Sequence, residues 1–269
     1  MRLRTILLLI LAALGAWGVL LAQKPFKQYD GEDRNVPLPP DWEKPAEWVS
    51  ARLRYRDNFG GGGFRFRGEG AWSIDYPLGD RHLIIGVQRL TRINARSVEQ
   101  AVEVDGTDDL YNWPFLYAVE VGQWDINQKE GAQLREFLER GGFLMVDDFH
   151  GRQEWEIFQD GIQQVYPDRK IEDLTQEESI FHILQDVDIK VQVAGLAALY
   201  NGRTYERADD PYPRWRAIFD DKKRIVVAIC HNMDLGDAWE HSDDPGYPAD
   251  MAVVAHRVLQ NYAMYDLTH

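Results

Sequence analysis

Two segments of the sequence carry side chains that are able to bind a metal ion or to transfer protons. The first is Asp147-Asp148-Phe149-His150, and the second runs from His231 to Glu240. Carboxylates and imidazoles are the groups that ligate divalent metals and that act as general acids and bases. The candidate ligand-binding residues in the two segments are Asp147, Asp148, His150, His231, Asn232, Asp234, Asp237, Trp239 and Glu240.

Three interpretations of these residues compete. As a metal site they show neither the HExxH nor the EF-hand spacing, so the sequence identifies no particular metal or other cofactor. As an acid/base site, Asp147 and Asp148 would need separated pKa values. Neighbouring side chains of a strand point to opposite faces, so we expect only one of the two to enter a crevice. As structural residues, the acids would cap helices and hold loops through backbone amides.

The chain has one cysteine, Cys230, which excludes a disulfide framework and a multi-cysteine metal cluster. Because His231 follows it, a cysteine–histidine hydrolase is worth weighing. Adjacent side chains of a strand diverge, however, and Cys230 continues an apolar strand. We therefore expect a buried, inert thiol, and the sequence identifies no catalytic residue.

The polar segments follow two strands of a predicted parallel sheet. Residues 115–120 form an apolar run of strand length, Asn127 and Glu130 form a capping box, and residues 143–146 form a second buried strand. Such strand–helix–strand units make parallel sheets with right-handed crossovers. The second polar segment follows an apolar strand at 225–229. If the two strands are parallel neighbours, their carboxyl ends share one crevice.

Further elements complete a three-layer α/β domain, which we predict to span residues 48–269. The pattern predicts a helix capped by Asp80, a helix over 155–165, a strand over 189–193, a hairpin over 214–229 and a terminal helix over 250–267.

Residues 1–22 are typical of an export segment. Arg2 and Arg4 precede an uncharged, apolar run over residues 5–22. We favour a cleaved signal peptide. An uncleaved anchor is the alternative, because this run is just long enough to cross the ~30 Å hydrocarbon core of a bilayer. Residues 23–47 are polar and proline-rich, which predicts an extended linker.

Composition narrows the possible partners. Hydrophobic residues make up 45% of the 269 positions, enough for a sizeable core, and the 30 basic and 44 acidic residues give a net charge of -14. This charge argues against a nucleic-acid partner. We expect an envelope protein or a polar small molecule as partner, and contact with a membrane only through residues 1–22 if they are not cleaved.

Several motifs, taken in order, resemble the exported bacterial family called domain of unknown function 4159. They are Asp75-Tyr76-Pro77, Tyr111-Asn112-Trp113-Pro114-Phe115, Arg140-Gly141-Gly142-Phe143 with Asp147-Asp148-Phe149, His231-Asn232 with Asp234 and Gly236-Asp237-Ala238-Trp239-Glu240, and Asn261-Tyr262 with Thr268-His269. The resemblance covers about residues 50–269. It implies a relation to the class I glutamine-amidotransferase-like fold, with a mostly parallel, flavodoxin-like sheet and helices on both faces. From residues 1–22 we expect an exported protein, periplasmic or anchored in the membrane and facing the periplasm.

The amidotransferase-like relatives carry a cysteine nucleophile at a strand-to-helix elbow. Here the corresponding strand end is Val146-Asp147-Asp148, with no Gly-x-Cys-x-Gly motif, so the resemblance implies no amidotransferase reaction. The expected function is therefore that of an exported envelope protein whose acidic strand-end crevice binds a ligand or partner. The alternative is a hydrolase, with or without a metal ion, that uses the same Asp/His cluster.

Overall fold

The computed structural model describes residues 24–31, 36–57 and 70–269. The predicted export segment, residues 1–22, lies outside these ranges. Within them, no helix has the length and hydropathy that a membrane span requires.

Seven strands form a single, mostly parallel sheet. They are β1 (Ser50–Arg54), β2 (Gln100–Glu103), β3 (Phe115–Val119), β4 (Phe143–Asp147), β5 (Glu172–Asp173), β6 (Arg214–Phe219) and β7 (Ile225–His231). Their order across the sheet is β2-β1-β3-β4-β7-β6-β5. Pairing is parallel from β2 to β7 and antiparallel at β6 and β5. The order 2-1-3-4 is that of a flavodoxin-like, doubly wound sheet, so the predicted fold class is confirmed.

Helices cover both faces of the sheet. In the described ranges they are α1 (Leu78–Leu90), α2 (Gln128–Glu139), α3 (Gly151–Val165), α4 (Leu196–Tyr200), α5 (Leu235–Glu240) and α6 (Ala249–Thr268). One hydrophobic core contains side chains of α1, α5 and α6, and the other contains side chains of α2 and α3.

The alternation of side chains along β3 shows why both faces need a cover. Phe115, Tyr117 and Val119 belong to the core under α1 and α6. Leu116 and Ala118 belong to the core under α2 and α3. All five are fully buried, as expected for a central strand of a parallel sheet.

The local signals that were strongest in the sequence are confirmed. Oδ1 of Asn127 accepts the backbone N–H of Glu130, and Oε2 of Glu130 accepts the backbone N–H of Asn127 at 2.8 Å, which completes the capping box at the start of α2. The predicted hairpin exists as the antiparallel pair β6 and β7. The terminal helix is α6.

Two predicted elements are wrong. Asp80 does not cap α1, because the helix begins at Leu78 and the carboxylate of Asp80 lies 2.6 Å from the guanidinium of Arg52 in the fully buried interior. Leaving a buried guanidinium without a charged partner costs more free energy than a helix cap provides, so Asp80 pairs with Arg52. Residues 189–193 form no strand. The edge position beside β6 is occupied by the two-residue strand β5 instead.

Part of the predicted linker contacts the domain. Nζ of Lys24 lies 2.5 Å from Oδ2 of Asp105, and the ring of Tyr29 meets that of Trp72 edge-on at 5.9 Å between centroids.

Candidate functional site

The carboxyl ends of β4 and β7 lie side by side, as predicted. The strands pair in parallel, with Val146 opposite Ile229. Beyond the strands, the backbone N–H of Asp148 donates to the carbonyl of Met233, and that of Asn232 donates to the carbonyl of Phe149. These bonds hold the two polar segments together at one edge of the sheet.

Three carboxylates from different parts of the chain converge at this edge. Asp75 precedes α1, Asp148 follows β4, and Asp234 precedes α5. One oxygen from each lies within 4.8 Å of the others, and all three residues are at most 5% exposed. We call Asp75, Asp148 and Asp234 the acidic triad.

Glycines make room for the triad. A Cβ atom at Gly236 would lie 2.0 Å from Oδ2 of Asp75, and one at Gly195 would lie 2.3 Å from Oδ2 of Asp234. Any side chain at either position would therefore displace a carboxylate of the triad.

The backbone around the site is strained. Asp75, Glu120, Asp148 and Asn232 all adopt positive φ, between 50° and 62°. Such conformations cost on the order of 1 kcal/mol or more for a residue with a side chain, and they tend to occur at functional sites. Here they turn the chain sharply at each strand end and at the start of α1.

Burial and neighbouring carboxylates act together on two members of the triad, Asp148 and Asp234. Burial raises the pKa of Asp148 and of Asp234 well above the ordinary aspartate range, and nearby carboxylates, Glu120 and Glu206 among them, raise the pKa of Asp148 further. Among the described residues, neither Asp148 nor Asp234 forms an ion pair with lysine or arginine. Desolvation and like charge at Asp148 and Asp234 therefore favour the binding of a proton or of another cation at these two carboxylates.

Asp147 mainly supports the loop. Its Oδ2 accepts the backbone N–H of Leu235 at 2.7 Å and the hydroxyl of Tyr117 at 3.3 Å. Its Oδ1 is buried without a hydrogen-bond partner in the described part of the chain. Burial raises the pKa of Asp147 to about 7. Of the adjacent aspartates, Asp148 alone belongs to the triad, which agrees with the expectation that the pair diverges.

A second group of possible ligands shares Asp148. Nε2 of His150 lies 3.0 Å from Oδ1 of Asp148 and 4.0 Å from Oε1 of Glu206. Burial lowers the pKa of His150, so the imidazole is neutral and able to act as a ligand or base. Its Nδ1 is buried, and no described residue offers it a hydrogen bond.

The acids of α5 form a third, less buried group. Nε2 of His241 lies 3.6 Å from Oδ1 of Asp237 and 3.4 Å from Oε2 of Glu240. Oδ2 of Asp237 accepts the backbone N–H of Leu196 at 2.5 Å, which attaches the start of α4 to α5. This group extends the negative charge toward the surface.

Three of the candidate residues predicted from the sequence do not belong to the acidic triad, and their contacts support the fold. His231 lies on the α3 side of the sheet, where its Nε2 is 3.0 Å from the carbonyl of Gly151. Asn232 bonds the backbone of Gly151 and of Tyr212. Trp239 is fully buried against Tyr117. His231 points away from the site because side chains alternate between the two faces of β7. Trp239 points into the core because it lies on the apolar face of α5.

Sequence reasoning missed Asp75 and Glu206 as site residues. Asp75 has a signal, since it opens the Asp75-Tyr76-Pro77 motif immediately before α1. Glu206 lies in an irregular segment, 201–213, whose polar composition gives no periodicity by which to place it.

One family model matches most of the chain. The model is described as "Domain of unknown function (DUF4159)" and covers residues 50–267. This range begins at β1 and ends within α6, so it includes the whole sheet and the acidic triad. No curated protein matches the chain.

Proposed function

The chain belongs to the family of domain of unknown function 4159, and we propose that its domain binds a divalent cation at the acidic triad. The observation that carries the proposal is the convergence of Asp75, Asp148 and Asp234, three buried carboxylates with oxygens within 4.8 Å of one another. Carboxylates at this separation repel one another in a buried site, and a bound cation removes that repulsion.

Two further observations support a ligand at this place. Oδ1 of Asp147, the residue before Asp148, and Nδ1 of His150, whose Nε2 bonds Asp148, are buried without hydrogen-bond partners among the described residues. Unsatisfied buried polar atoms are rare in folded proteins and often indicate a water or ion. Gly195 and Gly236 leave space only for the carboxylates themselves.

The chemistry of the ligands selects the cation. Oxygen ligands suit hard cations such as Mg²⁺, Mn²⁺ and Ca²⁺. The triad itself offers only oxygen ligands, because Nε2 of His150 is bonded to Asp148, so all three cations are candidates. The cation is thus the polar ligand of the crevice in this proposal.

Titration of the chelator-treated full chain with Mn²⁺, Mg²⁺ and Ca²⁺, followed by calorimetry and thermal melts, tests the proposal. We expect one cation per chain and a melting temperature that rises with cation concentration. Asp148→Asn and Asp234→Asn should each weaken binding at least tenfold. The matched control is Asp243→Asn, which removes the same charge from an exposed position.

The cation-free variants separate a ligand role from a structural one. Asp148→Asn removes like-charge repulsion, so the cation-free variant should be at least as stable as the cation-free parent. Failure of the parent chain to bind any of the three cations would overturn the proposal. So would a loss of stability in both variants without a change in affinity.

A metal-assisted hydrolase is the second candidate function. The observation in its favour is His150, whose neutral imidazole lies beside the triad and is able to take a proton from a cation-bound water. Hydrolysis of a model phosphate ester that stops with chelator and in His150→Ala would support this function. Cation binding without hydrolysis of the ester would contradict the hydrolase and would support a domain that only binds the cation.

We also propose that the domain works outside the cytoplasm. The support is the sequence of residues 1–22, with its two arginines and apolar run. Mass spectrometry of the mature N-terminus after expression in a bacterial host distinguishes a cleaved signal peptide from a retained anchor. Recovery of the intact chain from the cytosol would contradict export.

A further inference from the structure

A cavity away from the acidic triad lies between α3 and the face of β6 that points toward α3. Its volume is about 340 Å³, and its walls include Trp155 of α3, Tyr166 directly after α3, and the basic residues Arg169, Lys170 and Arg216. This is the size of a small-molecule pocket.

The charge of this cavity contrasts with that of the chain. The walls carry three basic side chains, Arg169, Lys170 and Arg216, and one acid, Asp173. Arg216 pairs with Asp173, and Arg169 pairs at 3.1 Å with Asp221, which lies outside the walls. The chain as a whole carries a net charge of -14. A larger cavity of about 570 Å³ at the end of β1 has five acidic and two basic residues in its walls. A positive cavity on a negative protein concentrates anions.

Two buried donors in the cavity walls have no acceptor. The hydroxyl of Tyr166 and Nε of Arg169 are buried, and neither has a hydrogen-bond partner among the residues that the structure describes. Tyr166 is 2% exposed. Burial raises the pKa of Tyr166 to about 12, so the hydroxyl keeps its proton. Both atoms are donors, and each gains an acceptor only when side chains of the wall shift to admit one.

Arg216 is held in place as part of the wall. Its guanidinium lies 4.1 Å from the ring centroid of Trp155, and its Nε donates to Oδ1 of Asp173 at 2.8 Å. Nη1 lies 3.2 Å from Nδ1 of His231. Because a guanidinium only donates, His231 accepts through Nδ1 and is neutral, in agreement with its pKa of about 4. A preorganised guanidinium loses little entropy when it binds an oxyanion.

We infer that this cavity binds a small organic oxyanion, a carboxylate or a phosphate monoester with an aromatic or apolar body. The acid group meets the hydroxyl of Tyr166 and Nε of Arg169, with Lys170 adding positive charge. The apolar body lies against Trp155. The inference does not depend on the cation site, since the two sites share no residue.

Titration of the full chain with phenyl phosphate and with benzoate, followed by the fluorescence of tryptophan and by calorimetry, tests the inference. We expect saturable binding of at least one of them and none of benzyl alcohol, which has the ring without the charge. A preference between phenyl phosphate and benzoate identifies the acid group.

The decisive variants are Tyr166→Phe and Arg169→Gln. Tyr166→Phe removes a hydroxyl that has no partner in the described chain, so the fold should persist, while affinity for the anion falls about tenfold. Lys222→Gln removes one positive charge from the exposed turn between β6 and β7 and should leave affinity unchanged. No binding of either probe at 10 mM, about 10⁴ times a Kd of 1 μM, would overturn the inference. Equal binding in the parent and in Tyr166→Phe would also overturn it.

Discussion

Nε2 of His150 lies 3.0 Å from Oδ1 of Asp148, and both residues are almost completely buried at the carboxyl end of β4. The imidazole is neutral because burial lowers its pKa. With Asp148 ionised, the Nε2–H donates to the carboxylate and fixes its direction. Partners of this kind orient metal ligands and raise their affinity.

His150→Ala should therefore weaken cation binding about tenfold or more without changing the number of cations bound. Calorimetric titration with Mn²⁺ measures both quantities. His182→Ala is the matched control, because His182 pairs with Asp186 on the surface and lies outside the site. An unchanged affinity in His150→Ala would show that the bond to Asp148 does not orient a ligand.

Gly195→Ala should impair cation binding with little effect on the fold. The new Cβ would lie 2.3 Å from Oδ2 of Asp234, and the carboxylate is able to rotate away from it. Because the backbone at Gly195 has a negative φ, the substitution adds no backbone strain. Affinity should fall about tenfold, and the free energy of unfolding should fall by about 1 to 3 kcal/mol, the usual cost of an added group in a packed interior.

Gly246→Ala provides a comparison, since its Cβ would meet only the side chain of Asp244 at 3.2 Å. Equal cation affinities for Gly195→Ala and Gly246→Ala would argue against Asp234 as a ligand.

Asp266 predicts a pH dependence of stability that is independent of the site. Burial raises its pKa to about 7, against smaller lowering effects of Trp48 and Arg224. Between pH 4 and 7 the folded chain keeps a proton that the unfolded chain releases, so the free energy of unfolding falls as the pH rises through this window.

Asp266→Asn should remove the fall in the free energy of unfolding between pH 4 and 7. At pH 8 the variant should be more stable than the parent by on the order of 3 kcal/mol, and at pH 4 the two should be nearly equal. Denaturant unfolding at both pH values measures the difference. A parent chain whose stability does not fall between pH 5 and 8 more than that of Asp266→Asn would contradict the raised pKa.

The sheet and most helices were predictable because their signals are local. The capping box at Asn127 and Glu130 and the β6–β7 hairpin depend on residues close in sequence. Asp80 shows the limit of such signals. Its place in the first turn of α1 is typical of a helix start. Its ion-pair partner, Arg52, lies on β1, and a contact between residues so far apart in sequence cannot be predicted from a local pattern.

The candidate site was predictable in part for the same reason. Asp148 and Asp234 follow apolar strands, and parallel pairing brings strand ends together. Asp75 and Glu206 come from segments outside the strands, whose paths depend on tertiary contacts. The sequence also included His231 and Trp239, because the type of a residue does not show which side of the sheet it occupies.

The acidic triad draws its residues from positions 75, 148 and 234, so it spans most of the folded domain. Bringing the three positions together closes two long loops of the chain, which costs conformational entropy. The contacts of the completed sheet offset this cost. We therefore expect no preformed cation site in the unfolded chain. In the proposed function, a cation binds only after the sheet has formed. Its removal would then increase the mobility of the start of α1, the end of β4 and the start of α5 together.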